Sequence, residues 1–238
     1  MSDAPEPERQ LSAADVARMR TPLWEQAKTA LAQGRAEDAA VLIDRAVEQW
    51  AALKDYSINW ITSLLTFIGE EMGEDAVERA LRKTGDEFVA PRRDTGTDWS
   101  SLPASARAKV IARAMLANMG EVEVDEDDEK IILSFRCGSG GMLIDAGMYE
   151  GDHPYLKLRE RGGRTFMRDE LWVYCAHCSI NNEIQTVERG EAPTSIEHPP
   201  ERPGERCVHH IYKDVADIPP DAYERIGKSK PGTTERDR

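Results

Sequence analysis

Four cysteines, Cys137, Cys175, Cys178 and Cys207, hold most of the chemistry available to this chain. Two of them stand three apart in "YCAHC", with His177 between them, and Cys207 heads "CVHHIYK", where His209 and His210 follow. Every cysteine and histidine lies between Cys137 and His210, and the chain before Cys137 has none. Thiols and imidazoles confined to one part of a chain predict one shared site. A C-x-x-C segment lets two thiolates grip a single ion, and distant segments complete a tetrahedron of bonds about 2.3 Å long.

Two other uses compete for the same residues. Small buried cysteines are common as plain core residues, and a C-x-x-C pair can run redox chemistry. The redox reading lacks the strand-to-helix setting of a thioredoxin-like motif. An iron–sulfur cluster would use the same four thiolates as zinc, and the sequence does not separate the two. Four thiolates close a zinc site to water, which moves any activity off the ion. The groups just beyond are then His209, His177 and Glu183, with the amides of Asn181 and Asn182. A histidine there could transfer protons, or replace a cysteine and open a position for catalytic water. The favoured alternative is a histidine hydrogen-bonded to a backbone carbonyl behind the ligands.

The first half of the chain must form the helices against which these residues are held. "AEDAAVLIDRAVEQWAAL" sets Ile43, Val47, Trp50 and Leu53 on one stripe, and "WITSLLTFIGEEM" does the same with Ile61, Leu64, Leu65, Ile68 and Met72. "GEDAVERALRKTGDEFV" aligns Val77, Leu81 and Phe88 before Pro91 and "RRDTGTD", and "PASARAKVIARAMLANM" ends at Gly120. Trp24, Trp50, Trp60 and Phe67 are expected to build core, or to line an apolar cavity. "WEQAKTALAQGRAEDAA" is similar to one tetratricopeptide-type helix pair, but no second copy follows, so a solenoid is not expected.

After Gly120 the period changes. "EVEV", the acidic "DEDDE" and "KIILSF" read as a hairpin with Ile131, Leu133 and Phe135 on one face, and the same alternation carries Cys137 inward. The acidic turn lacks the spaced ligands and glycine of a calcium loop, so it reads as a solvated tip. "LWVYC" and "CVHHIYK" read as strands that point Leu171, Val173 and Cys175, and Cys207, His209 and Ile211, toward the core. "GSGG" lacks the full dinucleotide fingerprint; it reads as a flexible turn near the metal loop, or as a pocket wall of close backbone approach. The expected organisation is a flexible tail over residues 1–20, a helical region over 21–120, an α+β metal-binding region over 121–227, and a flexible tail over 228–238.

Composition narrows the function. With 238 residues and 40% apolar content the chain can bury a core. A net charge of −13 and the lack of a Lys/Arg stripe exclude nucleic acid as an expected direct partner. No apolar run approaches a membrane span, and "MSDAPEPERQ" is unlike a secretory signal, so a soluble cytoplasmic protein is expected. In that reducing compartment thiols serve as ligands or redox groups rather than in stable disulfides.

The order of a cysteine closing a strand, a paired-ligand segment and a "GE-x-C-x-x-x-I" strand resembles the 4-vinyl reductase-type domain. That domain includes the ligand-sensing modules of phenol-responsive bacterial regulators and is similar to the aminothiazoline-carboxylate hydrolase-like family. The resemblance implies zinc held by Cys137, Cys178 and Cys207, with Cys175 standing where the family has a glutamate, so that the site becomes four-sulfur. Two further departures are the longer gap between Cys178 and Cys207, with its Pro-rich loop, and His209 in place of an aromatic. The helix "EEMGEDAVERALRKTGDEF" is similar to one in the hydrolase-like relatives, and the resemblance spans about residues 60–213.

The expectation is therefore an α+β protein: a helical N-terminal half packed on a small antiparallel sheet with a Cys-rich metal site. Its expected role is to bind a small organic molecule beside a structural zinc, with a hydrolase using His209 or His177 as the alternative. The related regulators carry an ATPase and a DNA-binding domain; this chain has neither a P-loop motif nor a basic recognition helix, so signalling would need a protein partner. A homodimer is equally compatible.

Overall fold

A computed structural model describes residues 11–93 and 99–231. The expected tails at 1–10 and 232–238 and most of the "RRDTGTD" break lie outside the described residues. The fold is α+β, as the change of period at Gly120 predicts. The chain divides into two compact units, Met1–Asp55 and Tyr56–Arg238, so the division falls within the helical region rather than at the change of period.

In the first unit, α1 (Ala13–Arg20) begins with a capping box: Ser12 Oγ accepts from the Asp15 amide at 3.1 Å, and Asp15 accepts from the Ser12 amide at 3.2 Å. This helix lies within the stretch expected as a tail over residues 1–20. Helices α2 (Leu23–Ala32) and α3 (Ala36–Met72) meet through the small residues Ala27, Ala30 and Ala39, beside Leu42. This is one helix pair, and Trp24 and Leu31 point outward from it.

In the second unit, the end of α3 is apolar on two sides. Ile58, Thr62 and Leu65 face the core, while Tyr56, Trp60, Leu64 and Phe67 stand exposed. The aromatic core expected from Trp24, Trp50, Trp60 and Phe67 is corrected accordingly, since all four are more than half exposed, at 59%, 52%, 58% and 60%. Periodicity marks an apolar stripe but not which of two stripes turns inward. Likewise Val77 and Leu81 are buried, while Ile43, Val47, Leu53, Ile61, Met72 and Phe88 are exposed.

Gly73, at φ +84°, breaks the chain between α3 and α4 (Glu74–Thr84). Helix α4 then loosens into a π turn over Gly85–Val89, followed by α5 (Ala90–Arg93) and, later, α6 (Ala104–Ala117). At the π turn the Asn181 amide donates to the Leu81 carbonyl at 2.7 Å, and the Gln185 amide donates to the Arg82 carbonyl at 3.0 Å. Gly85 leaves room for them: a Cβ there would lie 1.9 Å from Gln185 Oε1.

Strands β1 (Glu121–Glu126) and β2 (Lys130–Arg136) form the expected hairpin, with Ile131, Leu133 and Phe135 buried. Its acidic tip is exposed and is closed by Asp127, whose carboxylate accepts from the Glu129 and Lys130 amides. A short helix α7 (Gly140–Asp145) stands where a flexible turn was expected, and β3 (Lys157–Leu158) pairs with β4 (Leu171–Trp172). Helix α8 (Gln185–Glu188), β5 (Ile196–His198), β6 (Cys207–Tyr212) and α9 (Pro220–Glu224) complete the chain. The main sheet runs β1-β2-β6-β5, antiparallel throughout. Among the described residues no helix is long and apolar enough to cross a membrane.

Helix α6 covers one face of this sheet, where Ala104, Ala108 and Met115 pack with Ile131, Leu133, Phe135, Cys207 and Ile211. Arg107 is 1% exposed, and its guanidinium donates to the carbonyls of Leu102, Thr194 and Tyr212. Burial holds its pKa below the usual arginine value. Arg107→Met should lower unfolding stability by about 2–4 kcal/mol, because three part-buried carbonyls lose a donor. A urea midpoint equal to that of the wild type would contradict this role.

Candidate functional site

The alternation of β6 buries Cys207, His209 and Ile211, as expected. Register then selects their neighbours: Phe135 lies opposite Cys207, and Leu133, His209 and Glu197 form one row across β2, β6 and β5. "LWVYC" departs from the expected strand. Only Leu171–Trp172 pairs; Val173–Cys175 forms a 3-10 turn and Cys178–Ile184 a π-helical one. The C-x-x-C pair thus sits on coiled backbone, with no alternation to aim it, and Trp172 is buried together with Leu171, Val173 and Cys175.

All four cysteines are free thiols and line one cavity of about 380 Å³. Cys137, just beyond β2, is half-buried against the α6–sheet core, and its Sγ lies 3.0 Å from Ser139 Oγ. The glycines of α7 allow this crowding: a Cβ on Gly140 would lie 3.1 Å from Cys175 Sγ, and one on Gly141 would lie 2.9 Å from Cys137 Cβ. Both glycines line the cavity, which fits the wall of close backbone approach. Burial pushes the thiols of Cys175, Cys178 and Cys207 up, so that alone they are poor nucleophiles. Among the described residues, no three His, Cys, Asp or Glu side chains are grouped as they would be around a metal ion.

The histidines differ in their freedom to act. His177 Nδ1 lies 2.5 Å from the Tyr174 carbonyl, and its Nε2 lies 3.6 Å from Cys178 Sγ. Its own helical turn therefore holds the ring. His209 is 6% exposed; Nδ1 lies 3.2 Å from Ser195 Oγ and 3.8 Å from Glu197 Oε1. Its Nε2 is buried without a hydrogen-bond partner among the described residues, and burial holds its pKa below the usual histidine value.

Glu183 does not line the cavity. It is 0% exposed and grips Arg225 Nη2 with both oxygens, at 2.6 and 2.5 Å, while accepting the Glu197 amide at 2.8 Å. Burial raises its carboxyl, and Arg225 opposes the shift. Arg225 Nη1 also donates to the Glu197 carbonyl at 2.9 Å. Glu197, Ser195 and Arg225 are thus site residues that the sequence reading missed. The signal for the first two was the alternation in "SIEH", hidden within a Pro-rich stretch.

No protein-family model matches the chain, and no curated protein or solved structure does so. The likeness to the 4-vinyl reductase-type domain therefore rests on the motif residues alone.

Two outcomes follow from the buried charges. Glu183→Ala should cost about 3–5 kcal/mol, because it leaves Arg225 without its counter-charge; a loss below about 1 kcal/mol in denaturant unfolding would contradict the pairing. The second concerns acid. Burial, with Arg225 and His210 adding, pushes His198 down to about 4, and burial also lowers His210, whose ring centroid lies 4.7 Å away. Between pH of about 6.5 and 4 the unfolded chain binds protons that the fold excludes, so stability falls as pH drops through that window. His198→Gln should flatten the fall in urea midpoints measured from pH 7 to 4; an unchanged slope would contradict it.

Proposed function

We propose that this protein binds zinc through Cys137, Cys175, Cys178 and Cys207 and holds a small organic molecule in the adjoining cavity, in the manner of a vinyl-reductase-like module. The observation that supports this most is that four thiols from three separate segments line a single cavity. Its volume of about 380 Å³ lies within the range of small-molecule sites, and the α6 wall of Val110, Ile111 and Met115 is apolar. The donor set suits a closed structural zinc site, and binding requires the thiol side chains to turn toward one another. Zinc would cross-link the end of β2, the C-x-x-C turn and β6, and a dication would reverse the upward push on the thiols.

A second reading is favoured by one feature. His209 belongs to the cavity wall, and its Nε2, without a hydrogen-bond partner among the described residues, suits proton transfer in a hydrolase. His177, already held by the Tyr174 carbonyl, suits it less.

Elemental analysis of protein purified without added metal tests the zinc site on which both readings stand. Wild type and His209→Ala should carry about one zinc per chain, and Cys178→Ala and Cys207→Ala well under half of that, as expected when one thiolate of a closed site is lost. Wild type without metal would contradict the zinc site. Zinc lost in His209→Ala would make that ring a ligand instead.

A further inference from the structure

Glu197 occupies the middle of β5, opposite His209 on β6, and is among the residues that line the cavity although it is only 4% exposed. The Asn182 amide donates to its two oxygens, at 3.1 and 3.3 Å. His209 Nδ1 stands 3.8 Å from Oε1, beyond hydrogen-bond range, and closer to Ser195. Arg225 touches only the main-chain oxygen of Glu197 and turns its other nitrogen to Glu183. Among the described residues, no lysine or arginine pairs with the Glu197 carboxylate.

A carboxylate withdrawn from water without a counter-charge is costly, and a cationic partner recovers that cost through a charge-assisted hydrogen bond. The α6 side of the same cavity offers Val110, Ile111, Ala114 and Met115, with Phe135 beside them. A buried carboxylate facing an apolar α6 wall selects a molecule with one cationic end and a hydrocarbon body. The chain's net charge of −13 draws such cations from solution and repels anions.

We infer that the cavity takes a small apolar molecule bearing one protonated amine, with the ammonium group against Glu197 and the hydrocarbon body against α6. This rests on the cavity being a small-molecule site. It adds the class of ligand and the residue that chooses it.

Calorimetric titration of the full-length protein with 2-phenylethylamine, 2-phenylethanol and 3-phenylpropanoate tests the inference, with zinc per chain measured in parallel. In wild type the amine should bind about tenfold or more tighter than the alcohol, and the acid should not bind, because only the amine supplies the missing charge. Glu197→Gln should remove that preference while leaving the thermal midpoint near wild type, and Glu197→Asp should keep part of it. Amine and alcohol binding alike, or the acid binding best, would overturn the inference. So would loss of zinc in Glu197→Gln, which would make the carboxylate a metal ligand. Binding of none of the three probes would contradict the small-molecule reading itself, and the inference with it.

Discussion

The buried pair between Glu183 and Arg225 holds the walls of the cavity in place. Glu183 belongs to the π-helical turn that begins at Cys178, and its carboxylate also accepts the backbone amide of Glu197 on β5. Arg225 follows α9, donates to the Glu197 carbonyl, and lies over the Phe166 ring at 4.6 Å. One ion pair thus fixes the turn that carries a thiol and the strand that carries a carboxylate. In a low-dielectric interior such a pair is strong when complete and damaging when broken, so it specifies position as much as it stabilises.

Around that anchor, sheet register does the remaining placement. Pairing of β2 with β6 brings Phe135 beside Cys207, and pairing of β6 with β5 brings Glu197 beside His209. A slip of one residue in β6 would turn Val208 and His210 inward and remove both the thiol and the imidazole from the cavity. Arg107 guards against such a slip from the other side, since it joins α6 to the Thr194 carbonyl before β5 and to the Tyr212 carbonyl at the end of β6.

Where one face of a regular element was buried, the sequence was legible. Alternation in "KIILSF" and "CVHHIYK" identified the buried faces of β2 and β6, and the confinement of cysteine and histidine to one region pointed to the cavity that all four thiols line. It failed where backbone is coiled or where both faces are apolar. "LWVYC" has strand composition, but only Leu171–Trp172 pairs and Val173–Cys175 forms a 3-10 turn; Leu171, Trp172, Val173 and Cys175 are all buried, so no alternation marks the change. Trp60 and Phe67 share a period with Ile58 and Leu65, and only packing decides which pair is covered. Glu197 and Arg225 were hidden for a third reason: their meaning lies in hydrogen bonds made across 14 residues of chain or more.

Three segments contribute thiols to a space that Glu197 and His209 also line, and the central claim is that those thiols act together on one ion. Zinc K-edge absorption of the purified full-length protein tests it most directly. The account predicts a first shell of sulfur at about 2.3 Å with four scatterers. A shell of nitrogen and oxygen at about 2.0–2.1 Å, or no zinc edge at all, would contradict it.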